Sequence, residues 1–251
     1  MNTKRLILVV VTQVVAVFIL NAQALAVLMT TTYSDGLTTG SWNPGPLKTT
    51  TAATVKAVAA GECFDVVIDS PFAFSYAATI SLPEVGKTFN GGFIDQTFHD
   101  STKVHEDWHD AYNRALLTRT YGALETWSAG YKNGHFLTAA AAVAQGNADL
   151  AAALTLAKNA YNADSNTDVT NPAFGHQNAI AVIQKIGGVD TWRSQNPDWG
   201  KAAVDYANKI TVTFATTPVA DPCAVPEPST WLLLAFGAIG LVVAGSRRRR
   251  H

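Results

Sequence analysis

The sequence has few charged residues, only two cysteines and none of the common phosphate-binding or nucleophile motifs. Only 15% of its 251 residues are charged and the formal net charge is −1, which argues against a disordered tail protein and against nucleic-acid binding through bulk charge. Two cysteines are too few for a cysteine-rich metal site. No Gly-rich phosphate loop and no Gly-x-Ser-x-Gly sequence occurs, so nothing indicates a P-loop enzyme or a nucleophile-elbow hydrolase.

The N-terminal segment, residues 1–26, has the pattern of a targeting sequence. Lys4 and Arg5 precede an apolar run over residues 6–20, and the segment ends in Ala-Leu-Ala at 24–26. This order of basic, apolar and small residues predicts a secretory signal peptide that is cut after Ala26. An uncleaved N-terminal membrane anchor is the alternative.

The C-terminal segment has three parts, which are in order a proline-containing motif, an apolar stretch and a basic cluster. An apolar stretch at residues 231–246 would extend about 24 Å as a helix and would only just cross a bilayer. A basic cluster at the chain end would stay in the cytoplasm under the positive-inside rule. The first part, the proline-containing motif, comprises Val225, Pro226, Glu227, Pro228 and Ser229, and the basic cluster comprises Arg247, Arg248, Arg249 and Arg250.

Over residues 225–250 this tail resembles the PEP-CTERM sorting signal of Gram-negative bacteria. The resemblance implies an exosortase-type processing enzyme as a partner, transient anchoring in the inner membrane, and a final place on the outer surface or outside the cell. Members of this class often belong to strains that make extracellular polysaccharide, which makes polysaccharide a candidate partner. The alternative is an ordinary C-terminal membrane anchor.

Between the two ends the sequence predicts an exported α+β domain at 27–220, followed by the sorting tail at 221–251. Residues 27–226 hold 12 basic and 18 acidic side chains, so this body is mildly acidic. The N-terminal part is expected to hold β-structure and the later part mostly helices. The individual expectations are loops with at most one strand at 27–60, strands within 63–82, a helical hairpin formed by 101–130 and 138–161, helices near 176–186 and at 199–210, and a last strand at 210–217.

The two cysteines, Cys63 and Cys223, are candidates for a disulfide bond. An exported protein enters an oxidising compartment in which such a bond is stable. It would tie the beginning of the tail to the early part of the domain. Two independent thiols are the alternative.

The sequence His105-Glu106-Asp107-Trp108-His109 carries the clearest chemical signal. Residues four apart share one helix face, so both imidazoles can bind one ion, and Glu106 is close enough to accept a proton from a metal-bound water. Zn²⁺ lowers the pKa of such a water to about 7. In this motif, and in having a sheet before the helix, residues 64–114 resemble the zincin metallopeptidases, which implies zinc, Glu106 as general base and a peptide substrate.

The motif leaves the third metal ligand open. If the helices form a hairpin, the level of the two motif histidines is reached again near residue 161, which favours His176. Asp164 and Glu125 are alternatives, Asp168 is also within range, and His99 is a further candidate.

Other interpretations also stay open. A bound zinc could be structural, the motif could be a solvated helix face, and the body could be a non-enzymatic surface or matrix protein. Trp42, Trp192 and Trp199 belong either to the core or to a sugar-stacking surface.

Overall fold

The computed structural model describes residues 27–37, 39–89, 92–178, 181–186, 189–194 and 199–218. The predicted signal peptide, Cys223, the sorting motif, the apolar stretch and the terminal arginines all lie outside these residues. Within the described part of the chain, no helix is long and apolar enough to cross a membrane.

The main sheet has four strands and is built on β6 (Ala73–Pro83). Strand β1 (Leu28–Leu37) pairs parallel with one side of β6, and both β2 (Ser41–Pro44) and β3 (Lys48–Thr51) pair antiparallel with the other side. Alternate side chains from Phe74 to Leu82 are buried on one face of β6. This alternation gives the sheet one apolar face on which helices can pack.

A second, three-stranded antiparallel sheet contains β4 (Thr54–Ala60), β5 (Cys63–Ser70) and β9 (Lys132–Phe136). The expectation of loops at 27–60 is therefore wrong, because four strands occupy this range. Its many threonines are β-branched and suit strands. Three of these four strands pair with the distant strand β6, and a local pattern cannot reveal such pairing.

The first helical stretch begins at α1 (Gln96–Leu117), passes through a π-helical turn at Thr118–Gly122 and continues as α2 (Ala123–Gly130). It starts before the predicted Ser101, because the Asp95 carboxylate accepts a hydrogen bond from the backbone N–H of Phe98 at 2.8 Å and caps the helix there. Both motif histidines lie within α1, one turn apart, and therefore share one face of the helix.

The remaining helices are α3 (Ala139–Asp164), the short α4 (Thr167–Thr170) and α5 (Trp199–Ala207). The α+β class is confirmed, whereas a simple helical hairpin is not, since strand β9 lies between α2 and α3 and pairs with β5. Two small antiparallel pairs complete the fold: β7 (Thr88–Phe89) with β8 (Gly92–Phe93), and β10 (Ala181–Ile186) with β11 (Val189–Ser194).

Two expectations for the C-terminal part are wrong. The helix near 176–186 is a 3₁₀ turn (His176–Asn178) followed by strand β10, whose valine and isoleucines favour a strand. Residues 210–217 are extended but form no strand, because they pair with no other strand in the described part of the chain. Their alternating pattern instead lets every second side chain pack on the domain.

Two apolar clusters hold α1 in place. The larger joins β6 to the C-terminal end of α1, the π-helical turn, α2 and α3. The smaller contains Tyr112, Leu116, Trp199, Ala203 and Ala207 and fixes α5 against α1. Helix α1 is therefore packed between the sheet and α5, so its histidine-bearing face is enclosed by other elements.

Candidate metal centre

Three histidines converge on a common point. His105 and His109 lie one turn apart on α1, and His176 comes from the 3₁₀ turn that follows α4. The Nε2 atom of His109 is 3.3 Å from Nε2 of His105 and 3.2 Å from Nε2 of His176. One ligand atom from each of the three lies within 4.8 Å of the other two.

The spacing of these nitrogen atoms fits a tetrahedral zinc ion. Zinc–imidazole bonds of 2.0–2.1 Å place two ligand nitrogens of a tetrahedron about 3.3 Å apart. Both nitrogen–nitrogen distances at His109 have this value within about 0.1 Å. The two separations at His109 are therefore those expected for imidazoles that share one Zn²⁺.

The carboxylate of Asp168 orients the central histidine. Asp168 Oδ2 lies 2.6 Å from Nδ1 of His109, and both side chains are buried. Because an ionised carboxylate only accepts hydrogen bonds, this contact favours a proton on Nδ1, and a neutral His109 then directs the lone pair of Nε2 to the cluster. This is the tautomer that a metal ligand needs. Residue spacing places Asp168 among the possible ligands but gives no signal for this role.

The third histidine sits in an environment that favours its neutral form. Burial lowers the pKa of His176, the neighbouring His109 adds to this effect, and Asp168 opposes it. A neutral imidazole keeps a lone pair for a metal ion.

Two tryptophans form walls of the cluster. The Trp199 ring lies 5.1 Å from the His105 ring, 4.9 Å from His109 and 4.7 Å from His176. Trp42 stacks on His109 at 5.8 Å with an interplanar angle of 18°. Since Trp199 is only 2% exposed, it is not part of an open sugar-stacking surface, and the side chain of Trp192 is outside the described residues.

Glu106 is buried under the start of strand β2. Its side chain is close to Gly40, where an added Cβ would lie 3.0 Å from Glu106 Oε1. Burial raises the pKa of Glu106, while the charge of His109 and a hydrogen bond from the backbone of Trp42 oppose the rise. The carboxyl group thus has a defined position next to the histidines and an affinity for protons above the ordinary one.

The other proposed ligands have different partners. Glu125 is buried and accepts a hydrogen bond from the backbone N–H of Phe74 at 2.6 Å. Asp164 accepts one from the Tyr206 hydroxyl at 2.7 Å. The ring nitrogens of His99 lie 3.5 Å from Asp35 and 3.0 Å from Asp100. In the described part of the chain, none of these three side chains belongs to the histidine cluster.

The two aspartates beside His109 attach α1 to the sheet. Asp110 is buried, lies 2.6 Å from the Arg114 guanidinium and accepts a 2.6 Å hydrogen bond from Thr31 of β1. Asp107 accepts a 2.8 Å hydrogen bond from the hydroxyl of Tyr33 on the same strand. These polar contacts fix the rotation of α1 and so the direction of its histidines.

Comparison with known proteins identifies the C-terminal tail. Residues 224–250 match the family model of the PEP-CTERM protein-sorting motif. This range includes the proline-containing motif, the apolar stretch and the arginines found in the sequence. No curated protein and no solved structure matches the chain. The chain therefore carries a PEP-CTERM protein-sorting motif, which marks an exported protein that is anchored in the membrane before an exosortase processes it.

Proposed function

We propose that the exported body is a zinc-dependent hydrolase that acts on peptides. His105, His109 and His176 hold the ion, and Glu106 is the general base. The observation that supports this most directly is the convergence of three Nε2 atoms, with His109 oriented by Asp168. Together with the His-Glu-x-x-His motif, it provides the three protein ligands typical of catalytic zinc sites.

The histidines, Glu106 and Asp168 have different roles at the proposed site. A zinc ion held by the three histidines would supply a water acidic enough to lose a proton near neutral pH. Glu106 would be the general base for that water, because burial raises the pKa of its carboxyl and it lies beside the motif histidines. Asp168 keeps His109 in the required tautomer, and a backbone hydrogen bond from Trp42 on β2 holds Glu106 in place.

A structural zinc site in a non-enzymatic surface or matrix protein is the second candidate. The contact of Trp199 with all three imidazoles favours it, because an indole against the cluster restricts the open fourth position that catalysis needs. The sorting tail is compatible with both functions.

Metal analysis of the purified exported protein tests the proposal. We expect about one zinc per chain in the wild-type protein and in Glu106→Gln, and loss of zinc in His176→Ala. His99→Ala is the matched control, since His99 lies outside the cluster, and it should keep its zinc.

A peptide-hydrolysis assay on the same proteins separates the two candidates. Wild type and His99→Ala should cleave an unstructured protein substrate, whereas Glu106→Gln should lose about 10²–10⁴-fold in rate. Absence of zinc from the wild-type protein would refute both candidates. Bound zinc without hydrolysis would favour the structural site.

A further inference from the structure

An apolar groove lies at the opposite end of the first helical stretch from the histidine cluster. It has a volume of about 870 Å³ and runs between residues 118–127 and the segment that follows α5. Gly122, in its lining, is 13 residues beyond His109, which is about 20 Å along a helix axis. The apolar side chains that line the groove include Val27, Met29, Trp127, Ile210, Val212 and Phe214.

The outer wall of the groove is fixed by specific contacts. This wall is the extended segment 210–217, which we call the strap. Its Phe214 ring lies 5.7 Å from the ring of Trp127. At its end, the backbone N–H and the hydroxyl of Thr217 donate to the buried carboxylate of Asp149 at 3.3 and 2.7 Å. Because the strap is held at these points, the groove is a defined feature of the fold.

The charge around the groove has one sign. Arg119 lines the groove and is exposed, and it forms no ion pair within the described residues. None of the described residues that line the groove is acidic. An apolar channel with an unpaired guanidinium suits a ligand with a hydrocarbon chain and an anionic head.

The groove lies beside both points at which the described chain enters and leaves the domain. Val27, the first described residue, forms part of its wall, and Pro218, three residues before the sorting tail, directly follows the strap. The apolar part of the sorting tail starts at residue 231, so at most about 50 Å of extended chain separates the strap from that apolar part. Both ends of the domain thus leave it beside the groove.

We propose that the groove binds one acyl chain of an anionic membrane phospholipid, with Arg119 facing the phosphate. Its volume lies within the range of about 300–1,000 Å³ typical of ligand pockets. The lipid would hold the groove-bearing end of the domain on the membrane while the tail is still attached. The ligand chemistry is independent of the zinc site.

Photocrosslinking of the full-length protein in vesicles tests this assignment. The probe is phosphatidylglycerol with a photoactivatable acyl chain, and crosslinked peptides are mapped by mass spectrometry. We expect labels on 118–127 and 210–214 in addition to the tail, whose labelling at 231–246 provides an internal standard. Labels confined to the tail would refute the proposal.

Two variants and one control make the test specific for the groove. Gly122→Leu should reduce groove labelling about tenfold by filling the space, since an added Cβ would have no neighbour nearer than 3.8 Å. Arg119→Glu should reduce it several-fold by repelling the phosphate. Lys201→Glu, a charge reversal on α5, should change nothing, and circular dichroism verifies folding of each protein. Unchanged groove labelling in Gly122→Leu would contradict the proposal.

A second probe separates the phospholipid from a free fatty acid. A photoactivatable fatty acid is added to the full-length protein in detergent without phospholipid. Groove labelling by the phospholipid that excess unlabelled fatty acid does not abolish supports the proposal. Groove labelling by the fatty acid alone, with none from the vesicles, would overturn it.

Discussion

At the scale of single residues, Asp168 illustrates how a side chain outside a motif completes it. The motif supplies two imidazoles at a suitable spacing, but an imidazole can present either nitrogen and either tautomer. The short contact of Asp168 with Nδ1 of His109 removes this freedom. The residue is thus a positioning residue of the proposed zinc site.

Replacing Asp168 with asparagine should weaken zinc binding by about 10–100-fold. The amide keeps the shape of the side chain but loses the charge that favours the correct tautomer. Competition with a chromogenic chelator measures the Kd. Asp100→Asn removes the same charge from an exposed carboxylate on the same helix, so equal weakening in both variants would point to a general charge effect instead.

Asp149 is the second residue with a large structural role. Burial by itself would raise the pKa of this carboxyl, but hydrogen bonds from Thr217, Tyr131 and Gln145 outweigh it and hold the pKa below its ordinary value. A carboxyl whose pKa is depressed by folding stabilises the protein above its unfolded-state pKa of about 3.9. That contribution is lost as the pH falls through the folded-state pKa.

Asp149→Asn should therefore reduce the free energy of unfolding at pH 7 by about 1–3 kcal/mol. The variant should also lose less stability than the wild type between neutral pH and about pH 3. Urea unfolding over a pH series measures both effects, with the exposed Glu62→Gln as control. Parallel pH profiles for wild type and Asp149→Asn would contradict the assignment.

At the scale of elements, helix α1 and strand β2 together make the site. Helix α1 carries two of the histidines and Glu106. The start of β2 packs on the side of the helix that bears Thr102 and Glu106. The contact is close because Gly40, just before β2, has no side chain: an added Cβ would lie 2.1 Å from Cγ2 of Thr102. The missing side chain allows the strand to reach the helix.

Gly40→Ala should force β2 away from α1 and lower stability by about 1–3 kcal/mol. Thr102→Ser removes the methyl group that the new Cβ would meet, so the double variant should recover much of the loss. Thermal unfolding of the two single variants and the double variant measures this coupling. Gly130→Ala, where an added Cβ meets nothing within 4 Å, is the control, and additive effects at Gly40 and Thr102 would contradict the contact.

At the scale of the whole molecule, the domain separates two tasks along one helical stretch. The histidine cluster lies at the middle of α1, whereas the groove begins at the π-helical turn and includes Val27 and part of the strap, at the two ends of the described domain. A domain with lipid bound in the groove would therefore present the groove, and not the histidine cluster, to the membrane. Cys63, buried at the start of β5, is the point to which the beginning of the tail would be tied.

We predict that Cys63 and Cys223 form a disulfide in the exported protein. The intact mass should be about 2 Da below that of the reduced chain, and alkylation before reduction should label neither cysteine. Cys63→Ser and Cys223→Ser should lower stability equally, by about 2–5 kcal/mol. Labelling of either cysteine in the unreduced wild-type protein would show two independent thiols instead.

Local sequence patterns predict those features of the protein that depend on residues close together in the chain. These features are the sorting tail, the four-residue spacing of the motif histidines, the helical character of 101–130 and the α+β class. Each depends on residues within a few positions of one another, where periodicity and residue type are decisive. The four strands within 27–60 were missed because their stability comes from pairing with other strands, such as distant β6.

The sorting tail and the two histidines that a metal ion could share can be identified without a structure. The groups that surround these histidines depend on the tertiary fold. His176 was favoured on the assumption of a plain helical hairpin, whereas the chain reaches the cluster by a route that includes strand β9. The approach of His176 and Asp168 to His109 depends on packing between elements 59 and 67 residues apart. Such long-range contacts are set by the whole core, which no local pattern encodes.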